Sequence, residues 1–381
     1  MNIPLFMKKA YIMLIKLLST FVYNLFSLFK KQDKNKFVIV LSRSKVLEDN
    51  LEFVYKEIIS SVPQAKVYLV IGENKMNFSL FREIAFLADA QFLILDDYYL
   101  PIYLIKPSKQ LKVIQLWHAA GAFKKFGYST VGKKFGPEEW YLKLIPIHSN
   151  YTHVYVSAEK FVKFYAEAFN MSREKVFPIG VPRIDLFRDK ERCHDLKGRL
   201  YLENPELKKD VIKILFAPTY RANGKQVEST FNDINILSHL SSTVKDNIII
   251  LYKPHPYIEG DDISKLESLP NVLVVKGHTI NEWMTIADAF ITDYSSSIIE
   301  FSLLKRPLAH FVPDIEEYSN NRGFYQKIQD FSDGEILRTY DELIYWINSR
   351  KVNESFDTSR MIEYNFDNVE SVPKKIVRHF L

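Results

Sequence analysis

The sequence has a single cysteine, Cys193, which excludes an internal disulfide bond and any metal cluster built from cysteines. Such scarcity fits a protein of the reducing cytoplasm. The nine histidines lie far apart along the chain, and the common metal and nucleotide motifs HExxH, GxGxxG and GxxxxGKS/T are missing. The sequence therefore predicts neither a metal site nor a cofactor.

A net excess of basic charge is missing outside the N-terminus, although the whole chain carries a net charge of +5. Residues 1–36 contain seven lysines and one acidic residue, Asp33, and so carry +6, which leaves −1 for the other 345 residues. A nucleic-acid-binding protein is expected to have a basic face on its folded body. This asymmetry argues against nucleic acid as a partner.

An apolar stretch of twenty residues, 10–29, is long enough to span a bilayer. A cleavable signal peptide is the weakest interpretation because no small-residue cleavage site follows. A transmembrane helix and a helix packed on the body both stay open. We favour an amphipathic helix within 1–36 that attaches to an anionic membrane surface on the cytoplasmic side, because lysines flank it and its polar residues share one narrow stripe. The stripe consists of Lys16, Thr20, Asn24, Ser27 and Lys31.

After Lys36, short runs rich in Val and Ile alternate with segments of helix length, which predicts parallel sheets covered on both faces. A first series of predicted strands covers 37–42, 66–71, 91–96, 112–116, 153–157 and 176–179. A second series covers 212–217, 247–252, 271–275, 289–292 and 308–312.

Residues 188–210, between the two series, are charged and show little β-pattern, so we predict a linker there. The predicted fold is α/β, with two doubly wound parallel-sheet domains at 37–200 and 211–381 that follow the membrane segment 1–36. Two such domains are expected to enclose a cleft lined by loops at the carboxyl ends of the strands.

Two predicted strands are followed by a histidine in an unusual setting. His118 lies in Trp-His-Ala-Ala-Gly-Ala-Phe-Lys-Lys (117–125) and could act as a general base on a hydroxyl. A hydrogen-bonded core histidine beside a packed tryptophan explains this segment equally well. His255 lies between Pro254 and Pro256, which fix the backbone on both sides and favour a functional role over a buried structural one.

Two other strand ends carry groups that suit a phosphate. Arg221 ends Ala-Pro-Thr-Tyr-Arg (217–221) and could pair with a phosphate, with a surface salt bridge as the alternative. Asp-Tyr-Ser-Ser-Ser (293–297) precedes a predicted helix that Asp293 or a serine could cap, which would leave hydroxyls and free N–H groups for an anion. Glu300 could then reach a ribose hydroxyl, and the alternative is a plain serine-rich helix cap. The turn Asn-Arg-Gly-Phe (321–324) has no clear role.

Along the chain the four segments follow one another as 117–125, 217–221, 254–256 and 293–297. In this chain order they resemble the CDP-glycerol glycerophosphotransferase family of wall teichoic acid synthesis. The resemblance runs from about Asp96 to Asp314 and includes Ile-Gly-Val-Pro-Arg (179–183). The chain length is similar to that of the primase members, which add the first glycerol phosphate. Many members read Trp-His-Gly-Thr-Pro-Leu-Lys-Lys where this chain has Ala-Ala-Gly-Ala-Phe after Trp-His, a variant that resembles the ribitol-phosphate transferases of the family.

The resemblance implies a GT-B-like fold, peripheral membrane attachment and transfer of glycerol phosphate from CDP-glycerol to a hydroxyl of an undecaprenyl-diphosphate-linked disaccharide, with release of CMP. It implies that His118 is the base on the acceptor hydroxyl and that Glu300 lies near the ribose. The predicted catalytic residues are His118 and His255. The predicted donor-binding residues are Thr219, Arg221, Asp293, Ser295, Ser296, Ser297 and Glu300.

Three other functions remain open at this point. The first is a ribitol-phosphate transferase that uses CDP-ribitol. The second is a GT-B glycosyltransferase that moves a sugar from a nucleotide-sugar. The third is a non-catalytic membrane scaffold whose cleft only binds a nucleotide, although such a scaffold would not need two histidines at strand ends.

Overall fold

The computed structural model describes residues 4–133, 136–208, 210–219, 232–254 and 261–381, which form two compact units. Unit 1 contains the chain up to Ala119 together with Phe126–Arg183 and Asp367–Leu381. Unit 2 contains Ala120–Lys125 and Ile184–Phe366. Each unit has its own six-stranded parallel sheet, so the predicted α/β class is confirmed.

Unit 1 is built around strands β1 Asp33–Leu41, β2 Lys66–Ile71, β3 Ala90–Leu95, β4 Lys112–Gln115, β5 His153–Tyr155 and β6 Val176–Phe177. Its helices are α1 Leu5–Phe29, α2 Asp49–Ser61, α3 Phe78–Leu87, α4 Leu100–Tyr103, α5 Glu139–Leu144, α6 Val162–Ala168 and, near the C-terminus, α16 Val372–Phe380. The strand order is β2-β1-β3-β4-β5-β6. In this order the chain changes direction across the sheet between β1 and β3, and ligands bind α/β sheets at such a switch point.

Unit 2 is built around strands β7 Ile212–Phe216, β8 Ile248–Tyr252, β9 Val272–Val274, β10 Ala289–Thr292, β11 Leu308–Phe311 and β12 Glu335–Leu337. Its helices are α7 Lys190–Glu203, α8 Asp233–Thr243, α9 Asp261–Glu267, α10 Ile280–Met284, α11 Ser297–Phe301, α12 Ile315–Arg322, α13 Ile328–Phe331, α14 Tyr340–Asn348 and α15 Ser359–Asn365. The strand order is β12-β11-β10-β7-β8-β9, which places the switch point between β7 and β10.

Most strands of both sheets coincide with the predicted apolar runs because their residues are buried on both faces, and the edge strand β2, with four of its six residues exposed, is an exception. All five residues of β7 are buried, and so are all four of β10 and of β11. A strand covered by helices on both sides has no solvent-facing residue to interrupt its apolar run. Strand β12 was not predicted, because three residues that begin with a glutamate give too short a pattern.

The predicted linker over residues 188–210 is instead largely helical. Asp189 caps helix α7 by accepting a hydrogen bond from the Arg192 N–H at 2.9 Å. Leu196 and Leu200, one turn apart, are its buried residues. The charged residues around this narrow apolar stripe concealed its helical period.

The bounds of the two units differ from the predicted domain bounds at both ends of unit 2. Helix α7 belongs to unit 2, and Asp367–Leu381 return to unit 1. Asp367–Leu381 belong to unit 1 because they contain helix α16, whose buried face includes Ile376 and Phe380. Phe380 packs 5.6 Å from the ring of Phe92, and its carbonyl oxygen accepts a hydrogen bond from Lys112 Nζ.

Helix α1 lies on unit 1 with two members of its polar stripe turned towards the protein. Lys16 Nζ donates to the Leu144 carbonyl oxygen at 2.7 Å, and Thr20 Oγ1 donates to the Leu104 carbonyl oxygen at 3.2 Å. The hydroxyl of Tyr23, which is buried beside them, accepts from the Ser108 N–H at 2.9 Å. This part of the stripe therefore fastens the helix to the body instead of facing water.

The outer face of α1 is apolar. Phe6, Leu17, Phe21 and Phe29 expose between 62% and 82% of their surface. By length and composition, α1 is the one helix among the described residues that could cross a membrane. An exposed apolar face of this extent is typical of a surface that meets a membrane or a partner.

Candidate functional site

The loops that follow β1, β3 and β4 bring a group of charged and aromatic side chains to the switch point of unit 1. Arg43 follows β1, Asp96 and Asp97 follow β3, and His118 follows β4. These strands are neighbours and parallel, so their carboxyl ends meet at one edge of the sheet. The position of His118 at this edge agrees with the prediction from the sequence.

The ring of His118 has a defined orientation. Its Nδ1 lies 2.9 Å from the carbonyl oxygen of Asp96. A carbonyl oxygen only accepts, so Nδ1 carries the hydrogen and Nε2 of the neutral ring keeps its lone pair. The ring stacks on Trp117 at 4.4 Å, and 27% of the side chain is exposed.

The electrostatic surroundings keep His118 neutral. Burial and the nearby Arg43 guanidinium lower the pKa of His118 to about 4, although the Asp97 carboxylate, 3.9 Å from Nδ1, acts in the opposite direction. Burial also raises the pKa of Asp96 to about 7. At neutral pH, Nε2 of His118 is therefore available to accept a proton.

A buried network that was not predicted holds the loop of His118. Trp117 has a φ of +54°, which a side chain of this size rarely adopts without support. Asn50 supplies part of that support, because its Nδ2 donates to the Trp117 carbonyl oxygen at 2.8 Å and its Oδ1 accepts from the Arg183 N–H at 2.9 Å. Arg183 Nη2 donates to the His118 carbonyl oxygen at 3.0 Å, and its Nη1 pairs with Asp49 at 3.2 Å.

The switch point of unit 2 joins the loop after β7 to the loop after β10. Asp293 Oδ1 accepts from the Thr219 N–H at 2.8 Å and from Thr219 Oγ1 at 2.6 Å. The Asp293 side chain is fully buried, and it does not cap helix α11 as one prediction had it. The buried His310, on the neighbouring strand β11, contacts the same loop, since its Nδ1 lies 2.8 Å from the Asp293 carbonyl oxygen.

The three serines form the turn into helix α11. Ser296 is the N-cap residue, but its side chain makes no capping hydrogen bond. Ser295 Oγ lies 2.8 Å from Ser297 Oγ and accepts from the Ser297 N–H at 3.3 Å. Ser295 and Ser296 are half-buried and Ser297 is buried. The turn therefore gathers hydroxyl and N–H groups at the carboxyl edge of the sheet, an arrangement that suits an anion.

Glu300 lies deeper than its predicted role would suggest. Its carboxylate is fully buried and accepts a hydrogen bond from Asn281 Nδ2 at 2.6 Å, which ties α11 to α10. A contact of Glu300 with ribose therefore stays a prediction. Arg221 and His255 lie outside the described residues, and their roles also stay predictions. Among the residues that the structure does describe, no group of three or more His, Cys, Asp or Glu side chains could hold a metal ion.

Replacing Asn50 with alanine should change the titration of His118. Without the two Asn50 hydrogen bonds, the loop loses its support, and the His118 ring gains contact with water. We expect the pKa of His118 to rise from about 4 towards its ordinary value of 6.5, as measured by NMR titration of the ring.

The matched control for Asn50→Ala is Asn77→Ala, which removes the cap of α3 in the same unit. It should lower stability by about 1 kcal/mol and leave the His118 titration unchanged. An unchanged titration in Asn50→Ala would contradict the proposed support.

Comparisons with known proteins agree with the fold. The solved wall teichoic acid polymerase TagF, in its H548A form, superposes with a TM-score of 0.74 at 18% identity and covers 98% of this chain and 97% of that chain. At this identity the likeness shows the fold alone, and it confirms the predicted GT-B-like class.

The sequence relatives are more specific. The teichoic acid ribitol-phosphate primase of Bacillus spizizenii is 36% identical over 89% of this chain and 88% of its own length. The teichoic acid glycerol-phosphate primase of Bacillus subtilis is 25% identical over 75% of this chain and 72% of its own length. Residues 22–370 match the family described as CDP-Glycerol:Poly(glycerophosphate) glycerophosphotransferase. The chain therefore belongs to this family of transferases, whose members include the primases and polymerases of teichoic acids.

Proposed function

We propose that this chain transfers an alditol phosphate from a CDP-alditol to a hydroxyl of a lipid-linked teichoic acid precursor and releases CMP, with ribitol phosphate favoured over glycerol phosphate. Ribitol is favoured because the chain is 36% identical to a ribitol-phosphate primase but 25% identical to a glycerol-phosphate primase. The Ala-Ala-Gly-Ala variant after His118 points the same way. Glycerol phosphate from CDP-glycerol, the first expectation from the sequence, stays as the second candidate.

The proposed chemistry begins at His118. Its Nε2 removes the proton from the acceptor hydroxyl, whose oxygen attacks the alditol-bearing phosphorus of the donor. The bond from that phosphorus to the bridging oxygen breaks, and CMP leaves with the electron pair. The hydroxyls and N–H groups of the serine turn (295–297) are proposed to stabilise the negative charge of the diphosphate. Arg221 and His255 are proposed to assist there.

The choice of donor is tested by offering the purified chain CDP-ribitol and CDP-glycerol separately, each with a short-chain lipid-diphosphate disaccharide and with the same lipid already carrying one glycerol phosphate. We expect CMP release with CDP-ribitol to exceed that with CDP-glycerol at least about tenfold in kcat/KM, a difference of about 1.4 kcal/mol. Mass analysis of the product counts the added units. A higher rate with CDP-glycerol would reverse the assignment, and transfer only from nucleotide-sugars would refute alditol transfer altogether.

The role of His118 is tested by His118→Ala, which should lower kcat by about 10²- to 10⁴-fold. Because the pKa of His118 is lowered to about 4, the base is already unprotonated at neutral pH, and its protonation requires more acid than an ordinary histidine does. The acid limb of the kcat–pH profile should therefore lie well below pH 6.5. Near-normal turnover in His118→Ala would remove His118 from the mechanism.

The buried His148 provides the control for His118→Ala. It belongs to the same unit, and burial lowers its pKa to about 3. Its ring packs 4.3 Å from Phe169. His148→Gln is expected to lower the stability of unit 1 without removing the base.

We also propose that α1 attaches the enzyme to the cytoplasmic face of the membrane, close to its lipid-linked acceptor. Its exposed apolar face would enter the lipid while Lys16 and Thr20 hold the other face on unit 1. Lysines of the N-terminal segment would add attraction to anionic lipids.

The double variant Leu17→Glu, Phe21→Glu should weaken binding to vesicles that contain anionic phospholipid by at least about tenfold in sedimentation assays, because two carboxylates replace exposed apolar groups that would enter the lipid. Leu202→Glu, at an equally exposed leucine of α7, is the control and should bind like the unaltered chain. Equal binding of all three proteins would contradict attachment through α1.

A further inference from the structure

An open cavity of about 840 Å³ lies in unit 2, beside α12 and the chain that follows it. Its volume is in the upper part of the range for small-molecule sites, about 300–1,000 Å³. Phe123 and Phe324 form part of its wall, with their rings stacked at 4.4 Å. The cavity thus gives a role to the turn 321–324, which the sequence alone left without one.

The turn at Gly323 shapes this wall. Gly323 ends α12 with a φ of +82°, a conformation that other residues rarely adopt. Two backbone hydrogen bonds join this turn to residues 123–125. The Lys125 N–H donates to the Gly323 carbonyl oxygen at 3.1 Å, and the Tyr325 N–H donates to the Phe123 carbonyl oxygen at 2.8 Å. These bonds hold the two phenylalanine-bearing segments side by side.

Polar side chains around the cavity fall into two groups. Gln326 is fully engaged, since its Nε2 donates to the Ala122 carbonyl oxygen at 2.9 Å and its Oε1 accepts from the Tyr364 hydroxyl at 2.8 Å. The side chains of Glu316, Ser319 and Asn320 make no hydrogen bond to any described residue. They follow one another at helical spacing along the face of α12 that lines the cavity. The cavity is therefore lined by a carboxylate, a hydroxyl and a carboxamide that remain available to a ligand.

The charges of the lining do not favour a nucleotide or a diphosphate. Glu316 and Asp330 are acidic and Lys327 is basic, so acidic groups exceed basic ones in the lining. A diphosphate site requires an excess of positive charge. Aromatic and aliphatic walls with free hydroxyl, amide and carboxylate groups suit a neutral polyhydroxylated ligand.

The cavity also adjoins the serine turn. The ring of Phe324 lies 5.6 Å from that of Tyr294, which directly precedes Ser295–Ser297. A polyhydroxylated ligand in the cavity would therefore lie next to the proposed site of the donor diphosphate.

We propose that this cavity binds the sugar part of the lipid-linked acceptor, with the pyranose rings against the half-buried ring of Phe324, which Phe123 supports from behind, and the sugar hydroxyls on Glu316, Ser319 and Asn320. This inference rests on the proposed function, which supplies a glycan acceptor. The volume favours a disaccharide over the single alditol of the donor.

The test uses the full chain with a short-chain lipid-diphosphate disaccharide, followed by saturation-transfer NMR for binding and by CMP release for turnover. Glu316→Ala and Asn320→Ala each remove one hydrogen-bonding group from an exposed helix position. Each should raise the dissociation constant and the KM of the acceptor about three- to tenfold and leave the KM of the CDP-alditol within about twofold. Glu317→Ala, on the same helix but outside the cavity lining, is the matched control and should change neither constant.

The outcomes separate this proposal from the proposed function. Normal turnover of the unaltered chain with unchanged acceptor constants in both variants would overturn the cavity assignment alone. A raised KM for the CDP-alditol without a change for the acceptor would also overturn it and would assign the cavity to the alditol. If no CMP is released from any CDP-alditol, the proposed function fails, and loss of disaccharide binding in the variants still decides the cavity.

Discussion

The hydrogen bond between His118 Nδ1 and the Asp96 carbonyl oxygen is the interaction on which the unit 1 site depends. It joins the loop after β4 to the loop after β3, and it decides which ring nitrogen is free for chemistry. Because the acceptor is a backbone oxygen, no titration of a neighbouring group removes it. Asn50 and Arg183 then fix the backbone on which the ring is carried. The site is therefore defined by main-chain positions, and a buried polar network keeps those positions in place.

In unit 2 the loops at the switch point are also fixed by a buried polar side chain. There the buried carboxylate of Asp293 joins the loops at the switch point through Thr219, as Asn50 joins the loops in unit 1. In both units a parallel sheet brings the strand ends together, but a sheet alone does not fix the loops beyond them. One buried polar residue with partners on other segments does so. Such residues are costly to leave unpaired, which makes each arrangement specific.

The sequence predicted the strands well and the buried polar residues poorly, for a physical reason. Strand patterns are local, so that β7, β10 and β11 are visible as runs of apolar residues. Asn50 has no such pattern, because its partners lie 67 and 133 residues further along the chain. Asp293 was predicted at the correct strand end but with the wrong contact, since spacing does not reveal whether a carboxylate turns inwards. The polar stripe of α1 was predicted as well, but spacing left open whether it meets water or protein.

The departure from the common family motif after His118 is best understood through packing. Ala120, Ala122 and Phe123 are buried in unit 2, where Phe123 stacks on Phe324. The volume of the buried residues in this segment sets the position of the Phe324 ring that packs on it. A change from Gly-Thr-Pro-Leu to Ala-Ala-Gly-Ala-Phe would therefore alter the wall that is proposed to meet the acceptor sugars, while the proposed chemistry at His118 would stay the same.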